Sequence, residues 1–166
     1  MGTTDIAYAT TQSETGSGTA WTNPAKVLNA PNADPATVVL VAESQSKMFL
    51  LGGFQNNLRS GMRPSGLIIT GTVGTTGTPG NDRWHTRIYS GGVWLGAEID
   101  DDIDSAGGVQ TISTGWGVPL NPGLAATIQI GVIVTAVVGG TISLEGVGIQ
   151  WVWTDASDRS ERIRYR

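Results

Sequence analysis

The apolar residues of this chain recur at every second position within short runs, which is the period of a β-strand with one buried face. The runs are rich in Val, Ile and Thr and are separated by Gly, Pro, Asn and Asp, which favour turns. Apolar residues at helical spacing are lacking, so the pattern predicts an all-β protein. The predicted strands cover residues 5–10, 36–42, 47–54, 66–73, 83–89, 93–99, 109–113, 125–137 and 141–153.

Two glycine pairs separate predicted strands. Gly91-Gly92 follows the strand at 83–89, and Gly139-Gly140 follows the strand at 125–137. Glycine readily adopts the positive φ that two-residue hairpin turns require. We therefore predict a β-hairpin at each pair.

The last predicted strand changes phase along its length. Ile142 and Leu144 lie at even positions, whereas Val147 and Trp151 lie at odd positions. Because successive side chains of a strand point to opposite faces, one extra residue near Glu145-Gly146 would return both sets to the same face. The sequence therefore predicts a β-bulge there.

Glycine also recurs at every third position over residues 71–80, as Gly71, Gly74, Gly77 and Gly80. The run is too short and too poor in proline for a collagen-like segment. We predict a long mobile loop.

Composition and charge argue against a nucleic-acid-binding protein and against cysteine chemistry. The chain has 166 residues, no cysteine and a formal net charge of −4 at pH 7. Nucleic-acid binding needs clustered Lys and Arg, so we expect no nucleic-acid partner. Without cysteine there is no disulfide or thiol chemistry, so the fold depends on packing and backbone pairing.

We expect no membrane partner either. Residues 1–6 lack the basic and apolar segments of a signal peptide. The longest apolar stretch, at 124–138, is interrupted by Thr and Gln residues and is too short to span a bilayer as a helix.

The single histidine argues against catalysis. His85 lies between Arg83 and Arg87 at alternate positions, which places all three on one strand face. Metal sites and nucleophile–base pairs usually draw on several His or Cys residues, and no nucleophile-elbow, phosphate-loop or dinucleotide motif is present. We therefore expect a protein that is not an enzyme and needs no cofactor.

The acidic run at residues 98–104 is the best candidate for a metal site. Asp100, Asp102 and Asp104 would share one strand face and are the candidate calcium ligands. The run fails the EF-hand pattern, because Ser105 and Thr111 stand where glycine and glutamate are needed. The preferred interpretation is a solvated edge strand that resists edge-to-edge aggregation.

The chain contains six tryptophans: Trp21, Trp84, Trp94, Trp116, Trp151 and Trp153. Large aromatic side chains most often fill cores or anchor subunit contacts, but they can also form a platform on which sugars stack. We interpret most of them as core or subunit-contact residues. We predict Trp151 and Trp153 as a partner-binding pair. The alternative is a carbohydrate site formed by tryptophans and by the loops around Asn56-Asn57 and at residues 75–82.

The C-terminal residues differ in character from the rest. Arginines alternate there with acidic residues, and no core-forming run is present. We predict one domain at 1–154, followed by an extended Arg-rich tail at 155–166. The predicted partner-binding residues of the tail are Arg159, Arg162, Arg164, Tyr165 and Arg166.

Short motifs run in a fixed order through most of the chain. They are Trp21-Thr22-Asn23-Pro24, Asn29-Ala30, Asp34 before Ala36-Thr37, Leu50-x-x-Gly53-Phe54, Pro64-Ser65-Gly66-Leu67-Ile68, Gly115-Trp116-Gly117 with Leu120, and Trp151-Val152-Trp153. In combination they resemble a β-sandwich module that is frequent in tailed-bacteriophage and prophage proteins. The chain departs from that pattern at Asp34-Pro35, where the module usually has Asp-Gly.

The resemblance implies an antiparallel, jelly-roll-like β-sandwich with extended N- and C-terminal arms. It implies a virion structural protein, assembled in the host cytoplasm, whose partners are the major capsid protein or neighbouring subunits in a homotrimer or other homo-oligomer. A capsid decoration, or cement, protein that stabilises the head is the first expectation. A tail, neck or fibre component, or a receptor-binding module for carbohydrate, is the alternative.

Overall fold

A computed structural model describes residues 1–77, 81–104, 109–116 and 127–155 of the chain. The secondary structure of these residues is almost entirely β, with one short 3₁₀ turn at Pro24–Val27. The strands are β1 (Gly2–Thr3), β2 (Ala7–Tyr8), β3 (Thr11–Thr15), β4 (Ala36–Val41), β5 (Ser44–Gln45), β6 (Met48–Gly52), β7 (Met62–Thr75), β8 (Arg83–Ser90), β9 (Val93–Asp102), β10 (Val109–Trp116), β11 (Gln129–Ala136) and β12 (Gly139–Asp155). In these residues no helix is long and apolar enough to cross a membrane.

The strands form two antiparallel sheets. Sheet A has the order β1-β12-β7-β10, and β2 and β4 also pair with the long strand β12. Sheet B has the order β3-β6-β11-β8-β9, and β5 also pairs with β11. The predicted antiparallel β-sandwich is confirmed.

The core lies between the two sheets, where the inward residues of each strand meet. Sheet A contributes Leu67, Ile69, Val73, Ile142, Leu144, Val147, Ile149 and Trp151, and sheet B contributes Phe49, Leu51, Trp84, Ile88, Ile130, Val132 and Val134. The indole of Trp84 packs against Gly71 of the opposite sheet, at a position where a Cβ would overlap the ring. Gly71 is therefore a packing residue of β7.

The predicted bulge in β12 is confirmed. The register between β12 and β7 shifts between Glu145 and Gly148, and Gly146 has φ +60°. The shift places Val147 on the same buried face as Ile142, as the change of phase requires. Pro31 packs against the face of Gly146 where a side chain would otherwise lie.

One of the two predicted hairpins is confirmed and the other is wrong. Gly91 and Gly92 have φ values of +59° and +86° and join the paired strands β8 and β9. Gly139 and Gly140 are instead the first residues of β12 in sheet A, where they pair with β4. The preceding strand β11 belongs to sheet B, so the two strands form no hairpin. A Cβ on Gly140 would lie 2.8 Å from the backbone nitrogen of Gly77, so glycine permits the close approach of the segment that follows β7.

Two further expectations are corrected. Gly71 and Gly74 lie within β7 and not in a loop, because the long strand continues to Thr75 beside β12 and β10. The N-terminal residues are not an extended arm, since β1 and β2 pair with β12. Gly80 lies outside the described residues. Of the predicted tail, Asp155 is the last residue of β12. The rest of the tail lies outside the described residues, including Arg159, Arg162, Arg164, Tyr165 and Arg166.

Candidate functional site

The outer face of sheet B carries a row of polar and aromatic side chains. Along β8, Arg83, His85, Arg87 and Tyr89 alternate with the buried residues of the strand. Because side chains of a strand alternate between faces, these four point away from the core. The sequence analysis placed Arg83, His85 and Arg87 on a common face, and this prediction is confirmed.

Trp94 belongs to the neighbouring strand β9 and packs against this row. It is the cross-strand partner of Tyr89, and the two ring centroids are 4.8 Å apart with an interplanar angle of 57°. The guanidinium carbon of Arg87 is 5.0 Å from the centroid of the Trp94 ring, within the range of a cation–π interaction. The indole is thus held between an aromatic ring and a cation.

The Trp94 side chain reaches across the sheet as far as β11. A Cβ built on Gly131 would lie 2.9 Å from the six-membered ring of Trp94 and 3.0 Å from the sulfur of Met48. Gly131 is the cross-strand partner of Arg87, so the absence of a side chain there opens the space that the indole occupies. We call Arg87, Tyr89, Trp94 and Gly131 the Trp94 platform.

The surroundings of the Trp94 platform are suited to a partly polar, partly apolar ligand. Gln129 is the cross-strand partner of Tyr89, and Leu50 is the partner of Gly131. The side chains of Gln129 and Leu50 are half-buried. Aromatic faces with a few fixed polar groups are what small-molecule and sugar sites commonly present.

His85 links three strands beside the platform. Its Nε2 lies 3.0 Å from the Oγ1 of Thr135 on β11, and its Nδ1 lies 3.4 Å from the Oε1 of Glu98 on β9. The side chain is 18% exposed. The sequence located His85 correctly but missed Glu98 and Thr135 as its neighbours, because strand pairing brings them together.

The carboxylates of the candidate calcium site face an arginine. Asp100 forms an ion pair with Arg83, and Asp102 lies 3.1 Å from the same guanidinium. In the described part of the chain no group of three or more His, Asp or Glu residues is placed to hold a metal ion, so the candidate ligands Asp100, Asp102 and Asp104 are not brought together as a metal cluster. β9 is the edge strand of sheet B, which agrees with the preferred interpretation of the acidic run.

Trp151 and Trp153 occupy different environments. Trp151 is 0% exposed, because the bulge in β12 turns it into the core, so its predicted role as a partner-binding residue is corrected. Trp153 is half-buried and lines a groove of about 500 Å³ together with Asp5, Asn56 and Asn57. The structure therefore brings Trp153 to the loop that the sequence analysis considered for carbohydrate.

The Trp153 groove is less well built for binding than the Trp94 platform. A Cβ on Gly2 would lie 2.8 Å from the Trp153 ring, which shows that β1 lies directly against the indole. The opposite wall is a loop at residues 56–59. Sites on strands hold their side chains more firmly than sites on loops, so we take the Trp94 platform as the candidate functional site.

No family model matches the chain, and no match was found among curated proteins. Similar solved structures include the enzymatically active domain of tailspike protein 4 of bacteriophage CBA120, with a TM-score of 0.50 and 12% identity over 89% of this chain and 19% of that chain. The chain therefore spans about a fifth of the length of that tailspike structure.

Two further similar structures belong to carbohydrate-binding proteins. One is a CBM4, with a TM-score of 0.46 and 10% identity over 73% of this chain and 86% of that chain. The other is TmCBM61 in complex with β-1,4-galactotriose, with a TM-score of 0.43 and 12% identity over 77% of both chains. At these identities the comparisons describe the fold.

Proposed function

We propose that this protein is a non-catalytic carbohydrate-binding component of a phage-type virion, and that the Trp94 platform is its glycan site. The observation behind the proposal is the indole of Trp94, which extends across the outer face of sheet B between Arg87 and Tyr89 and reaches Gly131. Such a surface combines an aromatic ring with polar groups at fixed positions on strands.

The chemistry of the platform fits a sugar ring. The C–H groups on one face of a pyranose are apolar and stack on an indole, while the hydroxyls at its edge need hydrogen-bond partners. Arg87 supplies donors, and Gln129 supplies both a donor and an acceptor. Because these groups are already held by neighbouring strands, binding would cost little side-chain entropy.

The location in the virion rests on two lines of support. The motifs from Trp21 to Trp153 resemble a module of tailed-phage proteins, and the sandwich fold is shared with a phage tailspike domain. A surface glycan site is most useful on the part of the particle that meets the host. The proposal therefore favours a tail or fibre position over the head.

A substitution at Gly131 tests the site without replacing any side chain that would contact the glycan. In Gly131→Ala the new methyl group displaces the Trp94 ring, so we expect glycan affinity to fall several-fold or more. The unfolding free energy should change little, because the displaced indole lies on the surface. The measurement is binding on a glycan array followed by titration of the best glycan.

Gly115→Ala is the matched control for that substitution. Gly115 lies in β10 of sheet A, and a Cβ there would meet no atom within 4 Å. This variant should bind like the wild type. Equal affinity of Gly131→Ala and Gly115→Ala for every glycan that binds the wild type would refute the Trp94 platform as the site.

A second candidate function, a subunit contact within the virion, is favoured by an exposed apolar corner. Val39, Val41, Val137 and Val138 are 67%, 72%, 51% and 58% exposed, and they lie on β4 and on the connection that leads from β11 to β12. Clustered exposed apolar residues commonly mark protein–protein contacts. We propose this valine corner as a contact between copies of the chain, in keeping with the expected homotrimer or other homo-oligomer.

The valine corner is tested by charge. Val39→Lys with Val41→Lys should shift the protein to monomer in sedimentation experiments, because a contact between copies would then bury unpaired charges. Val93→Lys, at the start of β9, is the control, since Val93 is similarly exposed at 61%. A wild-type protein that is monomeric at high concentration, or an assembly unaffected by the double substitution, would contradict the contact and with it the decoration role.

A further inference from the structure

The basic residues on the outer face of sheet B differ in their carboxylate partners. Arg83 is paired with two carboxylates, those of Asp100 and Asp102. Glu98 is directed toward His85, with 3.4 Å between Oε1 and Nδ1. Three acidic residues of β9, Glu98, Asp100 and Asp102, thus face the first two basic residues of β8.

Arg87, the third basic residue of this row, has no such partner. Among the described residues no carboxylate lies within ion-pair distance of its guanidinium, and its Nε is buried without a hydrogen-bond partner. Its guanidinium carbon instead lies 5.0 Å from the centre of the Trp94 ring. Arg87 is therefore the arginine of this row that has no carboxylate partner among the described residues, and it lies at the Trp94 platform.

We propose that the Trp94 platform selects acidic glycans, those whose sugars carry a carboxylate, and that Arg87 is the residue that reads this group. The proposal rests on the glycan site proposed above and names its ligand class. A sugar ring stacked on Trp94 has its edge substituents beside Arg87. A uronic-acid carboxylate at that edge accepts two parallel hydrogen bonds from the planar guanidinium, which is the bidentate geometry of an Arg–carboxylate pair.

The energetic reason for the selectivity is desolvation. Arg87 is half-buried and stacked against an indole, so its charge has already lost part of its hydration without gaining an anion in return. A carboxylate restores the missing electrostatic partner, whereas a hydroxyl or ester oxygen restores only a hydrogen bond. The acid form therefore gains the attraction between opposite charges and a second parallel hydrogen bond, both of which the ester lacks.

The test uses one sugar backbone in two charge states. Oligogalacturonate and its fully methyl-esterified form share the same rings and differ at the carboxyl group. The wild type should bind the acid form at least about tenfold more tightly than the ester, and this ratio should fall as NaCl is raised. Titration calorimetry or tryptophan fluorescence gives both affinities.

Three variants identify the residue responsible. Arg87→Gln should reduce the acid-to-ester affinity ratio to near one, mainly by weakening the acid form. Arg87→Lys keeps the charge but loses the planar fork, so its ratio should be intermediate. Arg83→Gln is the control from the same strand face, and it should keep the wild-type ratio because Arg83 is already engaged by Asp100 and Asp102.

The outcomes separate this inference from the function on which it rests. Equal wild-type binding of both forms, lost on removal of the Trp94 indole, would overturn the charge selectivity and leave the carbohydrate site standing. An Arg87→Gln variant with an unchanged ratio would overturn the role of Arg87. Failure of the wild type to bind either form would contradict the ligand class, and a silent glycan array would then refute the site itself.

Discussion

Replacing Trp94 by alanine is expected to abolish detectable glycan binding. Stacking on the indole would supply most of the contact area of a bound sugar, and truncating a central aromatic residue of a binding surface commonly costs about 2 kcal/mol or more, which is roughly thirtyfold in affinity. The loss should appear for acidic and neutral glycans alike, because both would stack on the same ring. Titration of the best array ligand provides the measurement.

The substitution should affect binding far more than folding. Trp94 is half-buried on the edge strand β9, so its removal opens no enclosed cavity in the core. Trp94→Phe is the informative companion, because a smaller aromatic ring should retain part of the affinity. Wild-type affinity in a folded Trp94→Ala variant would exclude the Trp94 platform as the glycan site.

Replacing Trp84 by alanine is expected to have the largest effect on stability. Trp84 is 0% exposed on the inward face of β8, and its indole fills the space above Gly71 in the opposite sheet. Removal of a buried tryptophan typically costs about 3–5 kcal/mol, a large part of the roughly 5–15 kcal/mol that stabilises a domain. Urea unfolding followed by circular dichroism measures the change.

A double-mutant cycle with Gly71 tests the packing behind this expectation. In the wild type, Gly71→Ala should destabilise by about 1–3 kcal/mol, because its methyl group would overlap the Trp84 ring. In the Trp84→Ala background the same methyl group would partly fill the cavity, so its cost should vanish or reverse. Additive effects of the two substitutions would show that the two residues do not pack together as described.

The two tryptophans of sheet B show how much a local pattern can reveal. Trp84 lies in a strand whose alternation is regular, so its inward orientation follows from the sequence once either neighbour is known to face solvent. Trp94 is flanked by Val93 and Leu95, and alternation alone could not decide which set faces outward. The structure assigns Trp94 to the outer face because it pairs there with Tyr89.

The hydrophobic pattern could not predict strands made of polar residues. β3 at Thr11–Thr15 has no apolar residue and was not predicted, yet it pairs with β6 along the edge of sheet B. Its Glu14 accepts a hydrogen bond from the backbone N–H of Trp21 at 2.8 Å. Such a strand forms because the backbone of its neighbour provides hydrogen-bond partners. The side chains of the strand itself do not indicate that these partners are present.

The β-class of the chain, most of the strand positions and the bulge at Glu145-Gly146 follow from the sequence alone. These properties depend on the alternation of side chains along a single strand, which is a local signal. The change of phase before Val147 also implied that Trp151 shares the core face, although the sequence analysis assigned it to a partner surface.

The pairing of the strands, in contrast, became known from the three-dimensional structure. The structure separated β11 and β12 into different sheets at Gly139-Gly140, although the glycine pair suggested a hairpin. It also brought Trp94 over Gly131 and left Arg87 without a carboxylate partner among the described residues. Contacts between remote residues depend on how whole sheets pack and align, and a periodicity within one strand contains no record of that alignment.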